Sequence, residues 1–239
     1  MSLTNPKDFQ ILLSLIPKER KENIWFFPIR ANRKVPEVPS GTILKENLSY
    51  SLSWSESIQR LKWGSNVGIY AIQGGLMFLD LDVSNGKLLA SQAFLDALES
   101  TNKTLKVNTR NGGFQYYFLN DGLFPNQTIK ENDIAIGELR TDWFYVVGVG
   151  SYVVPDENSI GDDGTYRIIE ERAITQFNPF GDYFKKNEEI NNKELKTFVG
   201  IRGIEEKLED HIKKMDQEKK IRRKYSNPER NFLRVRGSL

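Results

Sequence analysis

The sequence predicts an α/β (α+β) domain with a mixed, largely antiparallel sheet that is flanked by helices. Short apolar segments separated by turn residues recur between positions 24 and 169, as expected for strands paired in hairpins. The segments 54–63 and 87–99 each place their apolar residues on one helical face. Beyond Pro179 aromatic residues become sparse and charge rises. We therefore expect a domain at residues 1–183 and a charged, basic helical appendage at residues 184–239.

Composition narrows the available chemistry. The 239 residues include no cysteine, which excludes disulfides, thiolate-bound zinc, iron–sulfur clusters and cysteine nucleophiles. His211 is the only histidine, so multi-histidine metal sites and histidine acid–base chemistry are also excluded. There is no apolar run of ~20 residues and no secretory signal. We expect an intracellular, cytoplasmic protein without membrane contact, whose chemistry rests on carboxylates, Lys, Arg, Ser, Tyr and a metal.

The net charge of +2 conceals an uneven distribution. Residues 185–239 contain 16 Lys and Arg against 10 Asp and Glu, or +6, which leaves 18 against 22, or −4, for residues 1–184. Such a split is typical of proteins that handle an anionic polymer. The densest cations are predicted to contact DNA phosphates, although a solvated helix is the alternative; they are Lys219, Lys220, Arg222, Arg223 and Lys224.

Helix starts are marked by capping residues. Asn5 followed by Pro6 predicts a first helix that ends near Pro17. Ser53 and Glu56 have the spacing of a capping box ahead of the helix at 54–63.

The strands are predicted from apolar runs and the turns between them. Asn111-Gly112 indicates a tight turn in which both central residues have positive φ. We expect a strand at 24–29, a closing strand around Tyr166, and three hairpins, which join 66–72 to 75–79, 104–109 to 114–119, and 134–140 to 143–149.

Two aspartates end the apolar strand that begins at Gly75. Asp80 and Asp82 share a face, because side chains on a strand alternate in direction, and lie about 6.6 Å apart at ~3.3 Å per residue. Paired carboxylates of this kind suit Mg²⁺ or Mn²⁺, whereas a strand end with two solvated aspartates is the simpler interpretation.

A third carboxylate interrupts another apolar strand. Glu138 shares a face with Arg140 two residues later. An unpaired buried glutamate costs several kcal/mol. Its partner is therefore either Arg140 or a metal ion.

The order of these motifs resembles the primase–polymerase domain of replication proteins from archaeal plasmids, phages and viruses, within the archaeo-eukaryotic primase superfamily. The resemblance covers roughly residues 22–172. It includes the Trp-Phe-Phe-Pro strand from Trp25, the Lys34-x-Pro36 loop and the Leu-Asp-Leu-Asp at 79–82. It continues through the hairpin at 109–118, Glu138-Leu139-Arg140, the Gly150-Ser151 step and Tyr166.

The resemblance implies an RRM-like primase core that performs nucleotidyl transfer as a DNA primase, a DNA polymerase or both. Two Mg²⁺ or Mn²⁺ ions would be held by Asp80, Asp82 and Glu138, where Glu138 replaces the usual aspartate. The implied partners are single-stranded template or primer–template DNA and NTPs or dNTPs, with a helicase or another replication protein as a further candidate. Residues expected at the nucleotide are Lys34, Arg110, Asn111, Gly112, Gly113, Gln115, Arg140 and Ser151.

One position departs from the family pattern. Gln115 stands where relatives usually have a histidine that binds nucleotide phosphate. A neutral hydrogen bond in place of a charged one is expected to lose roughly 1–2 kcal/mol, about tenfold in nucleotide handling. An initiator or DNA-binding module with little or no polymerase activity is therefore an alternative. A nucleotide-sugar transferase that uses Asp-x-Asp is a weaker one, because it leaves Glu138 unexplained.

Overall fold

The computed structural model describes residues 3–39, 42, 46, 48–160 and 163–187. The chain divides into two compact units, Met1–Ile190 and Asn191–Leu239, and every element below belongs to the first. The appendage predicted from residue 184 lies outside the described residues from 188 onward, as do Lys219 to Lys224. The predicted division at 183 stays a prediction.

The described residues form the mixed α+β arrangement that the sequence predicts. Their α-helices are α1 (Pro6–Leu15), α2 (Trp54–Lys62) and α3 (Gln92–Thr101). Their strands are β1 (Phe26–Ile29), β2 (Asn66–Tyr70), β3 (Leu76–Leu81), β4 (Val83–Ser84), β5 (Lys87–Leu88), β6 (Lys106–Asn108), β7 (Phe114–Leu119), β8 (Gln127–Glu131), β9 (Ile134–Arg140), β10 (Tyr145–Val147), β11 (Arg167–Glu170) and β12 (Thr175–Gln176). Short 3₁₀ helices occupy Lys18–Asn23 and Leu48–Tyr50.

The helix caps agree with the sequence at two of three starts. The Asn5 side chain accepts a hydrogen bond from the Lys7 amide, and both bonds of the predicted capping box are present at Ser53 and Glu56. The predicted helix start at residue 87 is wrong. Positive φ at Asn85 and Gly86 closes the small β4–β5 hairpin there, and α3 begins only after its cap, Ser91.

Two sheets organise this unit, and their described pairs are antiparallel apart from β12 against β7. The smaller sheet has the order β1-β2-β10. The larger has the order β11-β6-β7-β3-β9-β8, with β12 added beside β7. The β6–β7 hairpin is confirmed.

Two of the predicted hairpins are wrong. β2 and β3 follow one another across a tight turn but lie in different sheets, and β9 pairs with β3 and β8 rather than with β10. The strand that the sequence missed, β8, forms the true hairpin with β9 through Asn132 and Asp133, both at positive φ. A short turn alone therefore does not decide whether the strands beside it pair.

The larger sheet separates two hydrophobic clusters. Phe78 and Tyr117, opposite one another on β3 and β7, pack with α1, α2 and the smaller sheet. Leu79 and Tyr116, on the other face, pack with α3. Because directions alternate along a strand, Asp80 shares the face of Phe78 and lies on the side of the sheet that looks toward β1, β2 and β10.

Candidate active site

The larger sheet brings three polar side chains into one row. Asp80 on β3 is directly opposite Gln115 on β7 and directly opposite Glu138 on β9. Directly opposed residues point to the same face of a sheet. Asp82 follows just beyond the end of β3, where its amide donates to the Ile136 carbonyl at 3.0 Å. The strand register thus places Asp80, Gln115 and Glu138 on one face of the sheet.

Arg140 lies between two of the carboxylates. Its Nη2 is 3.3 Å from Oδ2 of Asp80 and 2.9 Å from Oε2 of Glu138. These two contacts together limit the separation of the two oxygens to at most 6.2 Å. Nη1 donates to the Tyr145 carbonyl, which fixes the guanidinium in place. Of the two partners that the sequence left open for Glu138, the structure supplies Arg140.

The acidic centre holds its protons more strongly than isolated aspartates do. Burial raises the pKa of Asp80, and Arg140 and Lys34 oppose that effect only in part. Burial, followed by the charges of Asp80 and Glu138, raises the pKa of Asp82 to about 6. Burial is thus the main cause at both aspartates, and at Asp82 the neighbouring carboxylates also outweigh Arg140 and Lys34.

Gln115 lies beneath this centre instead of facing solvent. Its side chain is buried and hydrogen-bonds to Asp80. Its Oε1 is buried without a hydrogen-bond partner among the described residues, so the amide nitrogen is the group that donates. In this arrangement Gln115 orients Asp80 and does not line the adjoining cleft.

A polar cleft of about 240 Å³ opens above the aspartates. It receives side chains from several loops as well as from the sheet, and its lining consists of Lys34, Asp80, Leu81, Asp82, Val83, Thr109, Arg110, Asn111, Arg140, Asp156, Asn158 and Tyr166. Lys34 is solvent-accessible, yet the protein atoms crowded around it lower its pKa, and the positive charge of Arg110 adds to this effect. Cations and carboxylates thus face the same small volume.

The turn at the cleft rim differs from the predicted one. Gly112 has φ +88°, whereas Asn111 does not have a positive φ. The Gly112 amide donates to Thr109, so Arg110 and Asn111 are the central residues and glycine follows in the left-handed region. This pattern is typical of a three-residue hairpin loop. Gly113 is required for a different reason, since a Cβ there would lie 2.4 Å from the Leu81 carbonyl oxygen.

Asp156 ties the loop after β10 to this turn. It forms an ion pair with Arg110 and accepts a hydrogen bond from Asn111 at 2.7 Å. Arg110 also donates to the Val154 carbonyl at 3.1 Å. Arg110 and Asn111 are therefore held at the rim by a loop residue that the sequence analysis missed, because Asp156 lies in a segment without hydrophobic periodicity.

Ser151, like Gln115, is a predicted nucleotide residue that is buried and does not line the cleft. Its Oγ accepts from the Val67 amide at 3.1 Å and approaches the Val67 carbonyl at 3.3 Å. In this structure the side chain joins the segment after β10 to β2 and is not part of the cleft lining.

The donor set fits a divalent ion on the two aspartates. Among the described residues no group of three or more Asp, Glu, His or Cys side chains is arranged to hold a metal ion, and Glu138 is paired with Arg140. Mg²⁺ usually takes only one or two carboxylates and completes its shell with water and substrate phosphates. Asp80 and Asp82 match that number of carboxylates, whereas Glu138 is paired with Arg140.

No helix in the described part of the chain combines the length and apolarity needed to cross a membrane. A search of curated proteins found no match to this chain. Residues 20–180 match the family model described as bifunctional DNA primase/polymerase, N-terminal (Prim-Pol). Membership of that family implies a nucleotidyltransferase of DNA replication that uses DNA and nucleotides, and such enzymes generally use divalent metals. Because the match covers more than half of its residues, the chain belongs to the Prim-Pol family.

Proposed function

We propose that this domain catalyses template-directed, metal-dependent nucleotidyl transfer, as a DNA primase, a DNA polymerase or both, during replication of an archaeal plasmid or viral genome. One observation carries the proposal: Asp80 and Glu138 are opposed on neighbouring strands, and Asp82 follows on the same face. The row adjoins a cleft lined by Lys34, Arg110 and Arg140, inside the segment that matches the family.

Each side chain has a defined task in this proposal. Asp80, Asp82 and Glu138 are the ligands of two Mg²⁺ or Mn²⁺ ions. Such ions, when bound, make the attacking 3′-hydroxyl more acidic and neutralise charge on the leaving pyrophosphate. Lys34 and Arg110 face the triphosphate, and Gln115 fixes the rotamer of Asp80 from below.

Arg140 connects the free and substrate-bound proteins. In this structure its single positive charge is shared between Asp80 and Glu138. A triphosphate offers the guanidinium stronger bidentate partners than a half-exposed carboxylate does. Transfer of Arg140 from Glu138 to phosphate makes Glu138 available as a ligand at the moment the nucleotide arrives.

Primer synthesis and primer extension with Mg²⁺ or Mn²⁺ test this function. We expect DNA synthesis by the wild type and at least a hundredfold loss in Asp80→Asn and Asp82→Asn, because removing a metal ligand sacrifices several kcal/mol of transition-state stabilisation. Asp96→Asn is the matched control, since Asp96 is exposed on α3 and accepts a hydrogen bond from Gln92 one turn earlier. Equal synthesis by all four proteins would refute the assignment of the aspartates.

A DNA-binding or initiation module with little or no polymerase activity is the second candidate. It is favoured by a neutral Gln115 under Asp80 and by the guanidinium that engages Glu138. Its signature is tight DNA binding without synthesis in the wild type and in Gln115→His. If catalysis is the function, Gln115→His is expected to alter turnover through the hydrogen bond to Asp80 and not through a phosphate contact, because residue 115 does not line the cleft.

The basic appendage is proposed to hold template or primer through phosphates. Five cations at 219–224 that supply three phosphate contacts would contribute about −2 to the slope of log affinity against log salt, at −0.7 per phosphate on single strands. Truncation after Asn192 should remove that contribution. An unchanged salt slope would assign the segment to solubility or to a protein partner.

A further inference from the structure

A second pocket, of about 230 Å³, adjoins the cleft on the other side of Arg140. Its lining comes from β8, β9 and the turn before β10 and consists of Asn126, Gln127, Thr128, Glu138, Leu139, Arg140 and Phe144. We propose that this pocket binds one nucleobase of the DNA strand, stacked on the ring of Phe144. The proposal deepens the proposed function, because DNA is its ligand.

Phe144 is an aromatic side chain that the fold turns outward. It is 53% exposed, whereas neighbouring Tyr145 packs against Phe27 at a ring distance of 5.0 Å. An exposed aromatic face beside polar groups is the common feature of platforms for single-stranded nucleic acid, since every base has a π-face that can stack on it.

The backbone before Phe144 is strained in a way that fixes this exposure. Trp143 has φ +53°, a left-handed conformation that bulky residues seldom adopt and that costs about 1–3 kcal/mol. Its ring packs on Tyr70 at 5.6 Å. The Trp143 amide donates to Ala71 and the Phe144 carbonyl accepts from Ala71, both at 2.8 Å. These two bonds to one residue hold the backbone from which the ring of Phe144 projects.

Two side-chain amides in the wall of the pocket are held in place by hydrogen bonds to the backbone. The Asn126 side chain bonds to the backbone of Thr141 and Asp142, and the Gln127 side chain bonds to the backbone of Lys185. These amides are used within the protein and do not have to be ordered by a ligand. Little entropy is therefore lost when a flat ligand enters.

Two polar groups remain to meet the edge of a base. Thr128 on β8 is exposed and directly opposite Glu138 on β9. Glu138 uses Oε2 for Arg140, which leaves Oε1 to accept a hydrogen bond from an exocyclic amino group. A volume of about 230 Å³ is below the ~300 Å³ at which pockets for drug-sized ligands begin, so it suits a single ring system.

The position of the pocket also favours a strand over a free base. Arg140 lines both this pocket and the cleft above the aspartates, so its guanidinium lies between a base held on Phe144 and Asp80. The phosphate that follows such a base would lie within reach of that cation. A nucleobase in this place fixes the register of the strand at the catalytic centre.

Equilibrium binding of a single-stranded oligonucleotide with one 2-aminopurine, scanned along its length, tests the assignment without requiring catalysis. We expect Phe144→Ala to weaken binding about 5- to 150-fold, the equivalent of about 1–3 kcal/mol for one stacked base. The salt slope should stay constant because no phosphate contact is lost. Fluorescence should be quenched at one position in the wild type and in Phe144→Tyr, but not in Phe144→Ala.

Trp63→Ala is the control, because Trp63 is 75% exposed and lines neither pocket. Three results would overturn the proposal. The first two are oligonucleotide affinity equal to that of the wild type in Phe144→Ala or in Phe144→Leu. The third is a Phe144→Ala variant that binds free dNTP more weakly but binds the oligonucleotide as the wild type does. Because the assay measures binding alone, failure of the Asp80→Asn test of catalysis would leave its outcome interpretable.

Discussion

Arg140→Gln tests whether the guanidinium is the internal counter-ion of the acidic centre. The substitution keeps a polar, though shorter, side chain and removes the charge that lies 3.3 Å from Asp80 and 2.9 Å from Glu138. We expect a lower free energy of unfolding at pH 7, tighter binding of Mn²⁺ to the metal-site carboxylates without substrate, and slower nucleotide addition.

The expected loss in the free energy of unfolding follows from how exposed Asp80 and Glu138 are. At 3.3 Å and an effective dielectric constant of about 20, the gross attraction between Arg140 and Asp80 is about 5 kcal/mol. Desolvation cancels much of this attraction. The Glu138 side chain is 45% exposed, so its pair contributes only about 0–1 kcal/mol. A net loss of about 1–3 kcal/mol at pH 7 is therefore expected.

The pH dependence of the free energy of unfolding distinguishes the loss of a charge from the loss of a packing contact. Arg140 holds the pKa of Asp80 down against burial, so removing it raises that pKa further. Below that pKa the acid is neutral and needs no cation. Arg140 likewise lowers the pKa of Asp82, which is about 6, so the deficit of the variant should shrink between pH 7 and pH 5. A divalent cation at 100 times its Kd should restore about 2.7 kcal/mol at pH 7.

Urea unfolding and Mn²⁺ titration calorimetry at pH 5 and pH 7 provide the measurements. Arg167→Gln is the matched control, because its pair with Asp163 has both side chains about half exposed and should contribute at most about 1 kcal/mol. A loss of stability that is the same at both pH values, together with wild-type Mn²⁺ affinity, would refute the counter-ion role.

Three further outcomes follow from single contacts. Mn²⁺ affinity should fall about tenfold from pH 7 to pH 5 by calorimetry, because Asp82 has its pKa raised to about 6 and must be ionised to bind metal; a flat profile would contradict this. Asn66→Ala should lower the free energy of unfolding in urea by about 1–3 kcal/mol and raise the nucleotide KM. The reason is that the Asn66 amide donates to the carbonyls of Arg30, Arg33 and Tyr152 around the Lys34 loop. An unchanged KM would show that this loop does not contact the nucleotide. Ser53→Ala should cost about 1 kcal/mol and leave nucleotide binding unchanged, because it removes only the cap of α2.

The elements near the site could be predicted because their local patterns are strong. The structure gives β7 and β9 with the bounds that their apolar runs indicate, and the capping box of α2 is present. The period of two along β3 and β9 was enough to put Asp80 with Asp82, and Glu138 with Arg140. These inferences need only a few consecutive residues.

The pairing of strands could not be predicted in the same way. All five residues of β2 are buried, so its sequence has no alternation that would distinguish one neighbour from another. β8 has a single buried residue, Ile129, and therefore resembles a polar loop. The turn after β2 therefore predicts a hairpin that does not form, and the sequence does not reveal β8 as the hairpin partner of β9.

The cleft required still more distant information. Asp156 meets Arg110 and Asn111 from a loop 45 residues away, and Gln115 meets Asp80 across a strand pair that only the sheet order defines. The sequence analysis assigned Gln115, Arg110 and Ser151 to the nucleotide directly. The structure adds that Gln115 and Ser151 hold other groups in place and that Arg110 is already paired.

The charge balance of the centre links its stability to its function. Three carboxylates on one face would oppose folding unless a cation accompanied them. Glu138 and Arg140 are two residues apart on β9, so the strand that adds the third carboxylate also supplies that cation. In the proposed mechanism Arg140 must then release Glu138 before that carboxylate binds a metal ion. Substitutions that stabilise the Arg140–Glu138 pair should therefore make the free protein more stable and the enzyme slower.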